Sequence, residues 1–203
     1  MYEWEQSIHI EHSPEDETTL YALQIPIDEP WYTEPTTAFR HHRGAITDTV
    51  RSALIDQGLI RDVSYDAASF IINTGLAYFA NSADSIRSKK QALGDFDGVV
   101  GIRILFHDGK LRFIMEDNGI GLDESQTAAL FHAGIMSTKS DAHLGGAGQA
   151  LATAGRAGEQ FDAVFGFENK GPGNGAQFWF EIPVANLSIG TPMDQVSRIL
   201  RPL

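Results

Sequence analysis

The chain contains no cysteine, which excludes a disulfide framework, a thiol nucleophile and a zinc–thiolate centre. That absence suits a cytosolic protein, and a cytoplasmic location is the expectation. Positive charge is also scarce: 15 Lys and Arg stand against 27 Asp and Glu, a formal net charge of −12. Nucleic acids and anionic membranes are held by clustered cations, so neither is expected as a partner. No apolar run approaches the roughly 18 residues that a membrane span needs. The opening MYEWEQSIHIEHS lacks the basic and apolar zones of a secretory leader. Internal repeats and low-complexity segments are missing too. What remains is 203 residues, 42% of them hydrophobic, with 20 glycines, enough for one sizeable core.

Residues 1–19 are acidic and mixed and read as an N-terminal extension. Leu20–Ile27 alternates loosely and predicts a strand, closed by Pro26 and Pro30. Thr36–Gln57 has helical spacing, with Phe39, Ile46, Val50, Ala53 and Leu54 on one side and Gly58 as the stop. Asp66–Lys90 predicts a longer helix with Phe70, Ile71, Tyr78 and Ile86 apolar, and Gly75 inside it implies close packing. Val99–His107 and Lys110–Glu116 are β-rich runs joined by Asp108-Gly109, a two-residue hairpin signal. Glu124–Gly134 predicts a short helix, Ile135–Gly148 a polar loop, and Gln149–Ala157 a small-residue helix. Phe161–Asn169 and Ala176–Pro183 form a second predicted hairpin around KGPGNG. The tail, 184–203, carries a candidate short helix at Met193–Leu200. This order predicts an α/β (α+β) two-layer sandwich, a mixed sheet with helices on one face, over a domain of 20–183.

Three segments carry chemistry. In RFIMEDNGIG (112–121) an apolar strand runs into Asp117, followed by Gly119 and Gly121. A carboxylate at a strand end is a pure acceptor, suited to an exocyclic amino group such as that of adenine. Glycines let backbone pass close beneath a flat ring and take positive φ. Alone, the spacing also fits an Asx turn. Upstream, Asn81-Ser82-Ala83-Asp84 lies on the long helix, where Ala77, Asn81, Asp84 and Ser85 share a face. The Asn81 oxygen is a candidate magnesium ligand, because Mg²⁺ takes few protein ligands when phosphates and water supply the rest. Downstream, Ser137-Thr138-Lys139 offers hydroxyls and a cation for a terminal phosphate. Gly145, Gly146 and Gly148 precede a helix and offer free amides to an anion. A Rossmann reading fails for want of a βαβ unit, and the lysine precedes the glycines, unlike a P-loop. Together the three segments describe a lidded pocket for ATP.

On these motifs, residues 64–183 resemble the GHKL ATP-binding fold of histidine kinases, anti-sigma serine kinases, DNA gyrase, mismatch-repair ATPases and large heat-shock chaperones. Asn81 matches that superfamily's N-box asparagine, with NSAD closer to the mismatch-repair and chaperone form. DNGIGL matches the adenine-binding box. Ser137-Thr138-Lys139 with Gly146-Ala147-Gly148-Gln149-Ala150-Leu151 is similar to the lid and second glycine box. GNGAQFWFEIP (173–183) resembles the last hairpin of kinase catalytic domains. The resemblance implies Mg-ATP binding with adenine on Asp117, Mg²⁺ at Asn81 and phosphates under 135–148.

The resemblance also implies a general base four residues before the asparagine in the hydrolytic and serine-kinase branches. Here that position is Ala77. Losing a positioned base costs about 10²–10⁴ in rate, so hydrolysis by that route is expected to be weak. Transfer to a partner histidine, itself a nucleophile, suffers less. A kinase acceptor hairpin needs two helices; only one precedes the N-box helix, so His41 and His42 read as packing or surface residues. The prelude of 20–58 is instead similar to small anti-sigma kinases. The expected role is an ATP-binding signalling protein that phosphorylates a partner, such as a response regulator or a sigma-factor-like protein. A non-hydrolysing switch and a slow ATPase are the alternatives, and a homodimer is compatible with each. His9, His12, His107, His132 and His143 lack metal-ligand spacing, and Trp4, Trp31 and Trp179 read as packing residues.

Overall fold

Asp108 and Gly109 both take positive φ, 46° and 72°, the conformation that a two-residue turn needs to match the twist of its strands. The turn joins β2 (Gly98–His107) to β3 (Lys110–Asp117), with His107 opposite Lys110 and Val100 opposite Asp117. The computed structural model describes residues 18–27, 62–121 and 155–192, together with 52, 55 and 56. The helices predicted at 36–57, 124–134, 149–157 and 193–200 lie wholly or largely outside the described residues.

Among the described residues, five strands form one open sheet in the order β1-β2-β3-β5-β4. β1 is Thr18–Ile27, β4 Val164–Asn169 and β5 Ala176–Pro183. The two-layer sandwich expected from the sequence is what is found, with one refinement. Every described pairing is antiparallel, where a mixed sheet was expected. Two of the pairings are hairpins, and a hairpin imposes antiparallel order. Pro26 falls in β1, an edge strand, where a missing ladder donor is tolerated.

The long helix α1 spans Tyr65–Leu93. Ser64 caps it by accepting the Ala67 amide at 3.0 Å, while its own hydroxyl donates to Ile189 O at 2.6 Å. Asp66 in the first turn accepts the Thr191 amide, so the helix start is stitched to the segment after β5. Gly94, at φ 84°, ends the helix. The predicted apolar positions Phe70, Ile71, Tyr78 and Ile86 are all buried, as is Gly75. They meet Val100, Ile102, Ile104, Phe113, Met115, Phe178 and Phe180 from one sheet face.

The second hairpin is shorter than expected at its start. Asp162 adopts a left-handed φ of 52° and breaks the extended run, so Phe161 ends a 3₁₀ turn, Glu159–Phe161, instead of opening β4. Its ring then packs 5.3 Å from Phe70 in the core. On the opposite sheet face Trp179 lies over Gly166, where a methyl would overlap the indole, and Arg112 stacks 5.1 Å from the Trp179 ring. Beside them Glu181 is almost wholly buried; burial pushes its carboxyl up, but the bond and charge of Arg112, with Lys110 and His107, bring it below the ordinary range.

Candidate functional site

β3 delivers Asp117 to the sheet end with only 4% of its surface exposed. Two hydroxyls of α1 reach it across 35 and 32 residues of sequence: Ser82 donates to Oδ2 at 3.0 Å and Ser85 to Oδ1 at 3.4 Å. The Gly119 amide donates to Oδ1 at 2.9 Å. This last bond is the local Asx turn that the spacing also allowed, so the turn and a buried acceptor coexist in one residue. Burial raises the Asp117 carboxyl above its ordinary value; the bonds from Gly119, Ser82, Ser85 and the Ala176 amide partly oppose that rise. Four described donors thus surround the carboxylate, two of them hydroxyls that can rotate.

The glycines after Asp117 have separate duties. A methyl on Gly119 would overlap Ser85, so only glycine lets the loop lie against α1. Gly121 has φ 69°, and a methyl there would collide with Gly171 O. Ile120 N–H is bonded to Ser85 Oγ at 3.1 Å, and Ile120 O accepts the Gly173 amide at 2.6 Å. Asn118 turns the other way: its Oδ1 accepts Val99 N and its Nδ2 donates to Asp97 O, which locks the loop to the start of β2. The 118–121 loop is thereby held between α1, β2 and the glycine loop that joins β4 to β5.

The wall expected from Ala77, Asn81, Asp84 and Ser85 divides in two. Ser85 turns toward Asp117, whereas Asp84 pairs with Arg87 at 3.0 Å, and burial raises its carboxyl while Arg87 lowers it. Asn81 lies between them, about 40° around the helix from Ser85. It is half-buried, and no described residue bonds its amide. Among the described residues no group of three acidic, His or Cys side chains could hold a metal. A lone Asn81 oxygen fits a cation whose other ligands come from phosphate and water. Ala77 is buried and belongs to the apolar core. Ser137, Thr138, Lys139, Gly145, Gly146 and Gly148 lie outside the described residues.

Ser82, within NSAD, and Lys89, outside every motif, also reach the end of β3 and the loop after it. With Ser85 they form a polar i, i+3, i+7 row on α1, a spacing legible in principle.

A family model described as histidine kinase-, DNA gyrase B-, and HSP90-like ATPase matches residues 80–186, just over half of the chain. Among solved structures the chain is similar to the histidine kinase domain of the blue-light activated histidine kinase EL346 from Erythrobacter litoralis. Identity there is 18% and the TM-score 0.46, over 81% of this chain and 64% of that one. A mycobacterial sensor histidine kinase, MprB, is similar at 18% identity and TM-score 0.44, over 62% of this chain and 76% of that one. This chain thus spans just under two thirds of the length of the first of these. No curated protein matches it.

Proposed function

Because the chain belongs to the histidine kinase-, DNA gyrase B-, and HSP90-like ATPase family, we propose that it binds Mg-ATP and passes a phosphoryl group to a partner protein in signalling. The observation that carries this reading is Asp117, a buried carboxylate at a strand end, held by two helix hydroxyls and a backbone amide. Asp117 is the proposed adenine acceptor, with the ring lying against the backbone of the loop that follows it. Asn81 is the proposed magnesium ligand. When bound, Mg²⁺ screens phosphate charge, which this acidic chain otherwise repels. The segments 135–139 and 145–148 are the proposed phosphate cover.

Phosphoryl transfer is mostly positioning and electrostatics, so a scaffold without its own general base still serves an acceptor histidine on another protein. A response regulator or a sigma-factor-like protein is the proposed kind of partner, with a homodimer compatible. No described helix is long and apolar enough to cross a membrane; a cytoplasmic location is proposed.

Asp117→Asn tests the site. The amide is isosteric, and Ser82 can rotate to accept from it, so the fold is expected to survive. Mg-ATP affinity by calorimetry is expected to fall about tenfold to a hundredfold, the range of one charge-assisted hydrogen bond. Unchanged affinity would refute the adenine assignment. Labelled γ-phosphate found on a candidate partner separates the kinase from the second reading, a nucleotide switch that Ala77 favours. There nucleotide changes partner affinity with no phosphate transferred.

A further inference from the structure

Lys89 belongs to none of the motifs, yet its ammonium joins four segments. Nζ donates to Asn118 O at 2.7 Å and to Gly173 O at 2.8 Å, and lies 4.2 Å from the centroid of the Phe96 ring. Asn118 precedes the glycines of the adenine-box loop, and Gly173 sits in the glycine loop between β4 and β5. The two loops already touch through the Gly173 amide on Ile120 O. They approach so closely that a methyl on Gly175 would overlap the Asp117 carbonyl.

Two carbonyl oxygens that converge on one point repel each other, and a cation between them turns that repulsion into attraction. A lysine head, compact with three donors, fits two carbonyls and a ring face together. Lys89 stands one helical turn beyond Ser85, so α1 grips the 118–121 loop twice over. The serines hold the Asp117 side chain and the Ile120 amide, and Lys89 holds the Asn118 carbonyl.

We propose that Lys89 is a positioning residue for the nucleotide site. Its ammonium clamps the 118–121 loop to the β4–β5 glycine loop and so sets where the Asp117 carboxylate and the Gly119 backbone stand beneath the purine. The inference rests on the ATP-binding reading above.

The absence of cysteine makes a site-specific chemical test available. Lys89→Cys introduces a single thiol in the full chain. Alkylation with 2-bromoethylamine rebuilds a lysine-like side chain with its ammonium, while 1-bromopropane gives the same length without charge. Two readouts follow: hydrogen exchange at the Gly173 amide, and Mg-ATP affinity by calorimetry, with the melting temperature as a check on folding. The thiol and propyl forms are expected to exchange Gly173 faster and to bind Mg-ATP about tenfold more weakly. The aminoethyl form is expected to recover both, with similar melting temperatures throughout. Equal recovery by the propyl form, or no loss in Lys89→Cys, overturns the proposal. Should the wild-type protein bind no Mg-ATP, the nucleotide reading fails. Gly173 exchange then still decides the clamp: slow only with the ammonium, it stands, and alike in all forms, it falls.

Discussion

Asp117 carries a charge that burial opposes and hydrogen bonds support, and the two effects do not cancel: its carboxyl stays above the ordinary 3.8. Ionisation of a group raised on folding costs stability, a cost fully present above the folded pKa and gone below the unfolded one. Ligand binding runs the other way, because a protonated carboxyl loses an acceptor. Mg-ATP affinity is therefore expected to decline on acidification before an ordinary aspartate would titrate, and calorimetry of Asp117→Asn across the same range should show no such step. Thr74 is a different case. It is fully buried in α1, and its hydroxyl has no hydrogen-bond partner among the described residues. Thr74→Val removes that orphan at equal shape and is expected to stabilise the fold by about 1 kcal/mol. A lower denaturation midpoint would show that the hydroxyl has a partner in solution. Ala77 bears on chemistry. Ala77→Glu is expected to raise ATP turnover measurably, because a positioned base is worth about 10²–10⁴ in rate. No gain in a phosphate-release assay would remove the slow-ATPase alternative.

At the scale of elements, α1 is both the lid of the core and one wall of the site. Its apolar stripe packs on the sheet, while Ser82, Ser85 and Lys89 turn toward the loop after β3. The register of helix on sheet therefore sets the site, and Gly98 is where that register is tightest. A methyl at Gly98, the first residue of β2, would overlap the Ile86 side chain. Gly98→Ala is expected to cost about 1–3 kcal/mol by overpacking. Combined with Ile86→Ala, which vacates the same space, it should cost less than the sum of the two single changes. Strict additivity in chemical denaturation would show that the helix is free to shift. The sequence reading anticipated the apolar positions of α1 and the Asp108-Gly109 turn, since both are local periodicity and local φ preference. It placed Phe161 in a strand, because an aromatic before a β-rich run looks extended; the left-handed Asp162 and the space beside Phe70 decided otherwise.

For the molecule as a whole, the sheet has two faces of unlike chemistry. One carries the aromatic and aliphatic core under α1. The other carries Glu181 with Lys110, Arg112 and His107 as partners, and Trp179 over Gly166. That second face explains the reading of His107 and Trp179 as structural: both are consumed by sheet neighbours. With a net charge of −12, any anionic ligand must be held by local devices; the described hydroxyls, the Gly119 amide and Lys89 serve instead to fix Asp117 and its loop.

The chain's own order of residues determined the fold class, the two turns and the Asp-x-Gly-x-Gly spacing of Asp117, Gly119 and Gly121 at a strand end. Each of those depends on interactions within a few residues, which spacing alone reveals. Tertiary structure alone decided that Ser82 and Ser85 hold the carboxylate, that Asp84 turns to Arg87, and that Lys89 ties Asn118 to Gly173. Those contacts join residues 29 to 84 positions apart, or choose between two faces of one helix. They exist only once α1 has docked on the sheet, because burial of its apolar stripe is what brings the polar one to the loop.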